Sequence, residues 1–274
     1  MNEPENFQGL ERFDKVDATG EQAMFFAFLD RIEEIKDVVR RRQLSYELLQ
    51  LTPGQNTLDV GCGLGTATRD LAVRVAPHGR SVGIDMSEAM VVEAQHRADA
   101  LGIAAKFERA GAEALPLPAG SIHAYRAERL YQHLPDPGKA LAEARRVLAP
   151  GGRILLIDQD WDMTLLDADD LSISRDVHRA FSGSFVQGAI GRRFRSLLLD
   201  AGFRGVEIRA ETVTSSMSGD YGFIVDIIEK SARAAAVDGA RLDVWVADQR
   251  KRIAEDRFFM AMTHFIASAT QPGL

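Results

Sequence analysis

The sequence predicts an α/β domain of the doubly wound type, a largely parallel sheet with helices on both faces. Two observations predict it. From Asn56 onward, short apolar segments alternate with helical ones in the rhythm of strand–helix–strand crossovers. The first apolar segment runs straight into a glycine-rich turn that opens a helix. The chain has 274 residues, enough for one large domain or a domain with a helical cap.

The elements follow in order. Residues 1 to about 20 are polar and expected to fray, with Phe7, Leu10 and Phe13 as their apolar anchors. Residues 21–50 read as two helices. Met24, Phe25, Phe28, Leu29 and Ile32 form one apolar stripe, and Val38, Val39, Leu44, Leu48 and Leu49 the other. Thr52-Pro53-Gly54 then breaks the helix. This divides the chain into a helical cap over 1–50 and a main domain over 51–274. Strands are expected at 57–60, 81–85, 105–110, 122–127, 153–158, 205–215 and 258–269. Helices are expected at 66–75, 88–101 behind the N-cap Ser87, 138–148, 194–200, 221–236 and 240–252. Residues 159–190 leave the alternating rhythm and read as a polar, mostly helical insertion able to cover a site.

Composition narrows the function classes. With 46% hydrophobic and 27% charged residues the chain is an ordinary globular protein. A net charge of -7 gives no general attraction to nucleic acid or to an anionic membrane, so neither is expected as a partner. Arg40-Arg41-Arg42 is the tight basic cluster, read as a solvated helix face. The single cysteine, Cys62, rules out an internal disulfide and a cysteine-rich metal site, and fits as a small residue between two glycines. The first residues carry no apolar leader core, which makes the cytoplasm the expected compartment. An apolar N-terminal helix would suit a homodimer.

Two motifs carry the chemistry. Leu58-Asp59-Val60-Gly61-Cys62-Gly63-Leu64-Gly65-Thr66 is a strand, a glycine turn and a helix start, where free N–H groups favour a polar or anionic ligand group. The glycines read G-x-G-x-G, with Thr66 where a dinucleotide fingerprint has its third glycine, which weakens a nicotinamide reading. The second motif is Gly83-Ile84-Asp85-Met86-Ser87. Asp85 closes the second strand 20 residues after Gly65, where an acid can accept hydrogen bonds from both ribose hydroxyls of an adenosine. Alone, Asp85 is as readily a capping or solvated acid. Together the two motifs point to a nucleoside cofactor.

These segments resemble motifs I and II of the class I S-adenosylmethionine-dependent methyltransferases. Gly111-Ala112-Glu113-Ala114-Leu115-Pro116, the stretch 128–137 and Val147-Leu148-Ala149-Pro150-Gly151-Gly152 are similar to later segments of that family, chiefly its ubiquinone/menaquinone-biosynthesis type and the small-molecule methyltransferases of secondary metabolism. The resemblance covers residues 56–160. It implies a Rossmann-like, seven-stranded mixed sheet with its last strand antiparallel, and S-adenosylmethionine as cofactor. By position it implies that Gly61 and Gly63 pack against the methionine portion and that Asp59 orients the turn. Asp85 would hold the ribose, Met86 would lie on the adenine, and Ala112 and Glu113 would flank its edge. Ala127 and Glu128 would line the methionine side. Gly111 and His123 depart from the family, which often has Asp at both positions; the change at His123 is read as structural.

Methyl transfer needs alignment and sometimes a base. His133, after the fourth strand, is the candidate base, with a loop-holding role as the equal alternative. Asp158, Asp160 and Asp162 can orient an acceptor, cap a loop or, as a cluster, attract a divalent cation, the last being the weakest reading. Trp161 and Tyr131 wall a pocket or sit in the core. His78, His178 and His264 read as structural, and His96 as an exposed residue of a helix. Phe25, Phe26 and Phe28 pack against the sheet or form a lid. The expected acceptor is a small molecule, methylated on oxygen or carbon in preference to nitrogen. The rivals are a nicotinamide oxidoreductase, an enzyme using the same cofactor for non-methylating chemistry, and a cofactor-binding regulator.

Overall fold

A computed structural model describes residues 16–19, 22–214 and 221–273. Phe7, Leu10 and Phe13 lie outside them. Val16–Thr19 (α1), Gln22–Glu33 (α2) and Lys36–Leu49 (α3) precede the sheet. Val16, expected in a frayed segment, is instead buried against Phe25, Leu64 and Met90.

The strands are Thr57–Val60 (β1), Ser81–Asp85 (β2), Ala105–Arg109 (β3), Ile122–Glu128 (β4), Leu148–Leu166 (β5), Arg204–Thr214 (β6) and Met260–Thr270 (β7). They form a seven-stranded sheet in the order β3-β2-β1-β4-β5-β7-β6. β1 to β5 pair in parallel, and β7 is antiparallel to both β5 and β6. The helices between them are Thr66–Val75 (α4), Glu88–Ala100 (α5), Pro137–Val147 (α6), Leu171–Gly183 (α7), Ile190–Asp200 (α8), Tyr221–Ala234 (α9) and Gly239–Ala254 (α10).

Strand alternation assigns the faces. One face presents Ala124, Leu155, Ile157 and Ile266 to Tyr46 and Leu49 of α3 and to Ala67 and Leu71 of α4. The other presents Leu58, Tyr125, Ala127, Ile154 and Leu156 to Leu141 of α6 and Phe194 of α8. Local chemistry fixes the helix starts: Ser87 Oγ accepts from Met90 N at 3.2 Å, and Asp136 Oδ1 accepts from Lys139 N at 3.0 Å.

Residues 159–166 are not the helical insertion expected; they extend β5. Their polar side chains hid a buried strand, because Asp160 is neutralised by Arg192, a partner 32 residues away. The helical reading holds only for α7. Trp161 and Leu166 at this far end pack with α7, α9 and α10 in a second core around Val177, Val225 and Trp245.

Gly65 shows how tightly the first crossover is packed. Its φ is +76°, and a Cβ there would lie 2.5 Å from the Phe107 ring. Gly102 has a similar φ of +65° but open space around it. Gly65→Ala should therefore cost about 3 kcal/mol, from backbone strain and overpacking together, against about 1 kcal/mol for Gly102→Ala. Urea denaturation of the two variants checks the difference.

Candidate active site

The site lies over the carboxyl ends of β1 and β4, where the strand order reverses and doubly wound sheets leave a crevice. Gly61, Gly63 and Gly65 all have positive φ, +73°, +50° and +76°. This left-handed path folds the turn back on β2. Gly61 N and Cys62 N donate to the Ile84 carbonyl at 2.7 and 3.0 Å. Gly63 N donates to Asp85 Oδ2 at 2.9 Å, and Ser87 N to Asp85 Oδ1 at 3.0 Å. The turn and the acid thus form one unit. Burial pushes the Asp85 carboxyl above its usual value, although the two backbone donors oppose the shift.

A cavity of about 600 Å³ opens here, within the range of ligand pockets. Asp59, Gly61, Gly63, Asp85, Met86, Ala112, Glu113, Glu128 and His133 line it. Met86 is 53% exposed. Ala127 does not line it. It faces the opposite side of the sheet, in the core with Leu58 and Tyr131, because consecutive strand residues point to opposite faces. Tyr131 is likewise core, whereas Trp161 lines the cavity and donates through Nε1 to Gln132 Oε1 at 2.8 Å.

Asp59 acts at one remove from the turn. Its Oδ2 accepts from Thr68 Oγ1 at 2.9 Å and its Oδ1 from Arg126 Nη1 at 3.1 Å, tying β1 to α4 and β4. Arg126 also pairs with Glu128, whose Oε1 accepts from Arg41 Nε at 3.2 Å. Burial alone would raise the Glu128 carboxyl, but Arg126, Arg41 and Arg129 hold it far below the carboxylate range.

The arginine cluster departs from its expected solvated face: Arg40 is exposed, but Arg41 is 2% exposed and Arg42 is also buried, paired with Glu33. Their spacing held the signal, since Val38, Arg41, Ser45 and Leu49 fall on one helical face. His264 also departs from a purely structural reading. It lines the cavity, as does Gln159. Gln159 stands two residues after Ile157, and His264 midway between Met262 and Ile266, so each shares its strand face with apolar neighbours.

Asp158, Asp160 and Asp162 all lie within β5. Asp158 Oδ2 accepts from Tyr131 N at 2.9 Å. Asp160 and Asp162 both pair with Arg192. His123 Nδ1 accepts from Asn56 N at 3.0 Å. Phe25 is buried between α1 and α5, whereas Phe28 lines the cavity and meets Phe223 at 5.7 Å between ring centroids. His178 is mostly buried, and desolvation lowers its imidazole to about 4. His96 is exposed beside Glu93.

Residues 57–152 match the family model described as a methyltransferase domain. That segment, about a third of the chain, is similar to methyltransferase domains. An uncharacterized 37.1 kDa protein in transposon TN4556 of Streptomyces fradiae is 42% identical over 178 residues, 65% of this chain and 51% of that protein. The demethylmenaquinone methyltransferase of Thermus thermophilus is 33% identical over 133 residues, 48% of this chain and 60% of that enzyme. The chain spans about half the length of the curated relatives it matches. Phosphoethanolamine N-methyltransferase 2 of Haemonchus contortus, solved with S-adenosyl-L-methionine, superposes with a TM-score of 0.62 at 18% identity, covering 94% of this chain and 59% of that one. That likeness is one of fold. The matched segment contains the glycine turn, Asp85 and Glu128, while α2, α3 and β7 close the cavity from outside it.

Two stability measurements test this electrostatic account. Arg126→Met strands two buried carboxylates and should cost about 3–5 kcal/mol by chemical denaturation. Asp158 is fully buried, and burial pushes its carboxyl well above 3.8 despite the backbone donors. The folded state therefore holds this proton more tightly than the unfolded chain does. The contribution is favourable below 3.8 and is lost as pH rises toward the folded value. Asp158→Asn should gain stability relative to the parent as pH rises from acid to neutral, seen in denaturation curves across that range.

Proposed function

We propose that this protein is an S-adenosylmethionine-dependent methyltransferase acting on a small molecule, with oxygen or carbon as the accepting atom and the cytoplasm as its compartment. The observation that carries the reading is the hydrogen-bonded unit of glycine turn and Asp85 on the wall of one cavity. The residues fit the cofactor. Asp85 is a half-buried carboxylate with one backbone donor on each oxygen, and each oxygen retains acceptor capacity that two ribose hydroxyls can fill. A Cβ on Gly111 would meet nothing within 4 Å, so the strip 111–113 leaves room for an adenine edge opposite Met86.

When bound, the cofactor supplies a methyl group on a positively charged sulfur and departs as S-adenosylhomocysteine. The chain's own groups do the rest. Asp85 orients the nucleoside, and Gly61 and Gly63 let backbone approach the methionine portion. Phe28, Leu29 and Ile32 from α2 shield the cavity from water. His133 stands on the cavity wall, its ring 6.2 Å from that of Phe185, as the group to accept a proton from the incoming acceptor.

Calorimetry with S-adenosylhomocysteine tests the cofactor assignment. Asp85→Ala should weaken binding by about 100-fold or more, the worth of two charge-assisted hydrogen bonds. His133→Ala should bind normally and turn over slowly in a labelled-methyl assay. Unchanged affinity in the Asp85 variant would remove the ribose role, and normal turnover in the histidine variant would remove the base.

A further inference from the structure

Beyond the cofactor residues, the cavity continues along the α3 side of β5 and β7. Gln159 and His264 lie directly opposite each other in the antiparallel ladder, so their side chains are neighbours on one face. Both line the cavity, and both are buried, 6% and 3% exposed. Among the described residues, Gln159 Oε1 and His264 Nδ1 are each shut away from solvent with no hydrogen-bond partner. Two adjacent unpaired polar atoms are a standing cost in a folded protein, and a ligand is one way to relieve it.

The charged groups around them are already matched. Arg41 pairs with Glu128, Arg126 with both Asp59 and Glu128, and Arg129 with Glu33. An incoming ion would find no spare counter-charge at this end. Val213, Met262 and Trp161 make the rest of the wall apolar. Burial and the nearby Arg41 keep the His264 imidazole neutral, so it offers one donor and one acceptor rather than a charge.

We infer that Gln159 and His264 form the acceptor-binding subsite, and that they select an uncharged, largely apolar molecule through one hydroxyl group. The inference rests on the methyltransferase reading above. The hydroxyl donates to one unpaired atom and accepts from the other residue, since a half-turn of the Gln159 amide exchanges its donor and acceptor. The two residues position the acceptor; the proton acceptor remains His133.

The test uses protein saturated with S-adenosylhomocysteine, titrated calorimetrically with four probes of one shape: 4-propylphenol, propylbenzene, 4-propylbenzoate and 4-propylbenzylammonium. The phenol should bind about tenfold tighter than each of the others, the worth of one net hydrogen bond or a little more. Gln159→Leu and His264→Phe should reduce that preference to about twofold or less while retaining S-adenosylhomocysteine affinity. Each should keep a Tm at or above the parent's, because an unpaired buried polar atom has been removed. A purely structural role predicts the opposite: lower Tm and an unchanged preference. Gln159→Glu provides a second variant, in which 4-propylbenzylammonium should become the favoured probe. Failure of all four probes to bind the loaded protein, or equal affinity for the phenol and propylbenzene, overturns the subsite. Failure of S-adenosylhomocysteine itself overturns the reading beneath it.

Discussion

The buried charge network of Asp59, Arg126, Glu128 and Arg41 is the constraint on which the site depends. It joins β1, β4, α4 and α3 across the carboxyl edge of the sheet. Taking four charges out of water is expensive, and a well-packed apolar set would often be as stable. The network instead fixes geometry. Arg126 Nε donates to Ser45 Oγ at 3.0 Å, and Tyr46 OH donates to Asp70 Oδ2 at 2.9 Å, so α3 is held to the sheet and to α4 by directional bonds as well as by apolar packing. A helix that preceded the domain in sequence becomes a wall of the cavity.

The same network explains a division of labour between the sheet's two faces. On one side Leu58, Tyr125, Ala127 and Leu156 make an uninterrupted apolar layer beneath α6 and α8. On the other, the strand ends carry Asp59, Arg126, Glu128 and, further along, Gln159 and His264. Alternation lets one strand serve both faces.

The strand–helix rhythm made the fold legible, because each element carried its own periodicity and its own boundary signals, such as the N-cap Ser87 and the break at Thr52-Pro53-Gly54. The glycine turn and Asp85 were legible too, since their spacing encodes a local geometry. What escaped the sequence depended on distant partners. Asp160 looked solvated because Arg192 is 32 residues on, and the strand extension was lost with it. Arg41 looked like a surface charge because Glu128 sits 87 residues away. His264 carried no motif at all, and only the pairing of β7 with β5 brings it to the cavity. Ala127 erred the other way: its neighbour's role was extended to it across a pleat that separates them.

The length of β5 has an evolutionary corollary. A pocket bounded by loops can be reshaped by inserting or deleting residues, since loops accommodate changes of length. Here part of the wall is a ladder running from Arg153 opposite Thr270 to Asp160 opposite Thr263. A single-residue insertion within it would turn every later side chain to the wrong face. Divergence of this pocket toward new ligands is therefore channelled into exchanges at every second position of β5 and β7, with chain length there held constant.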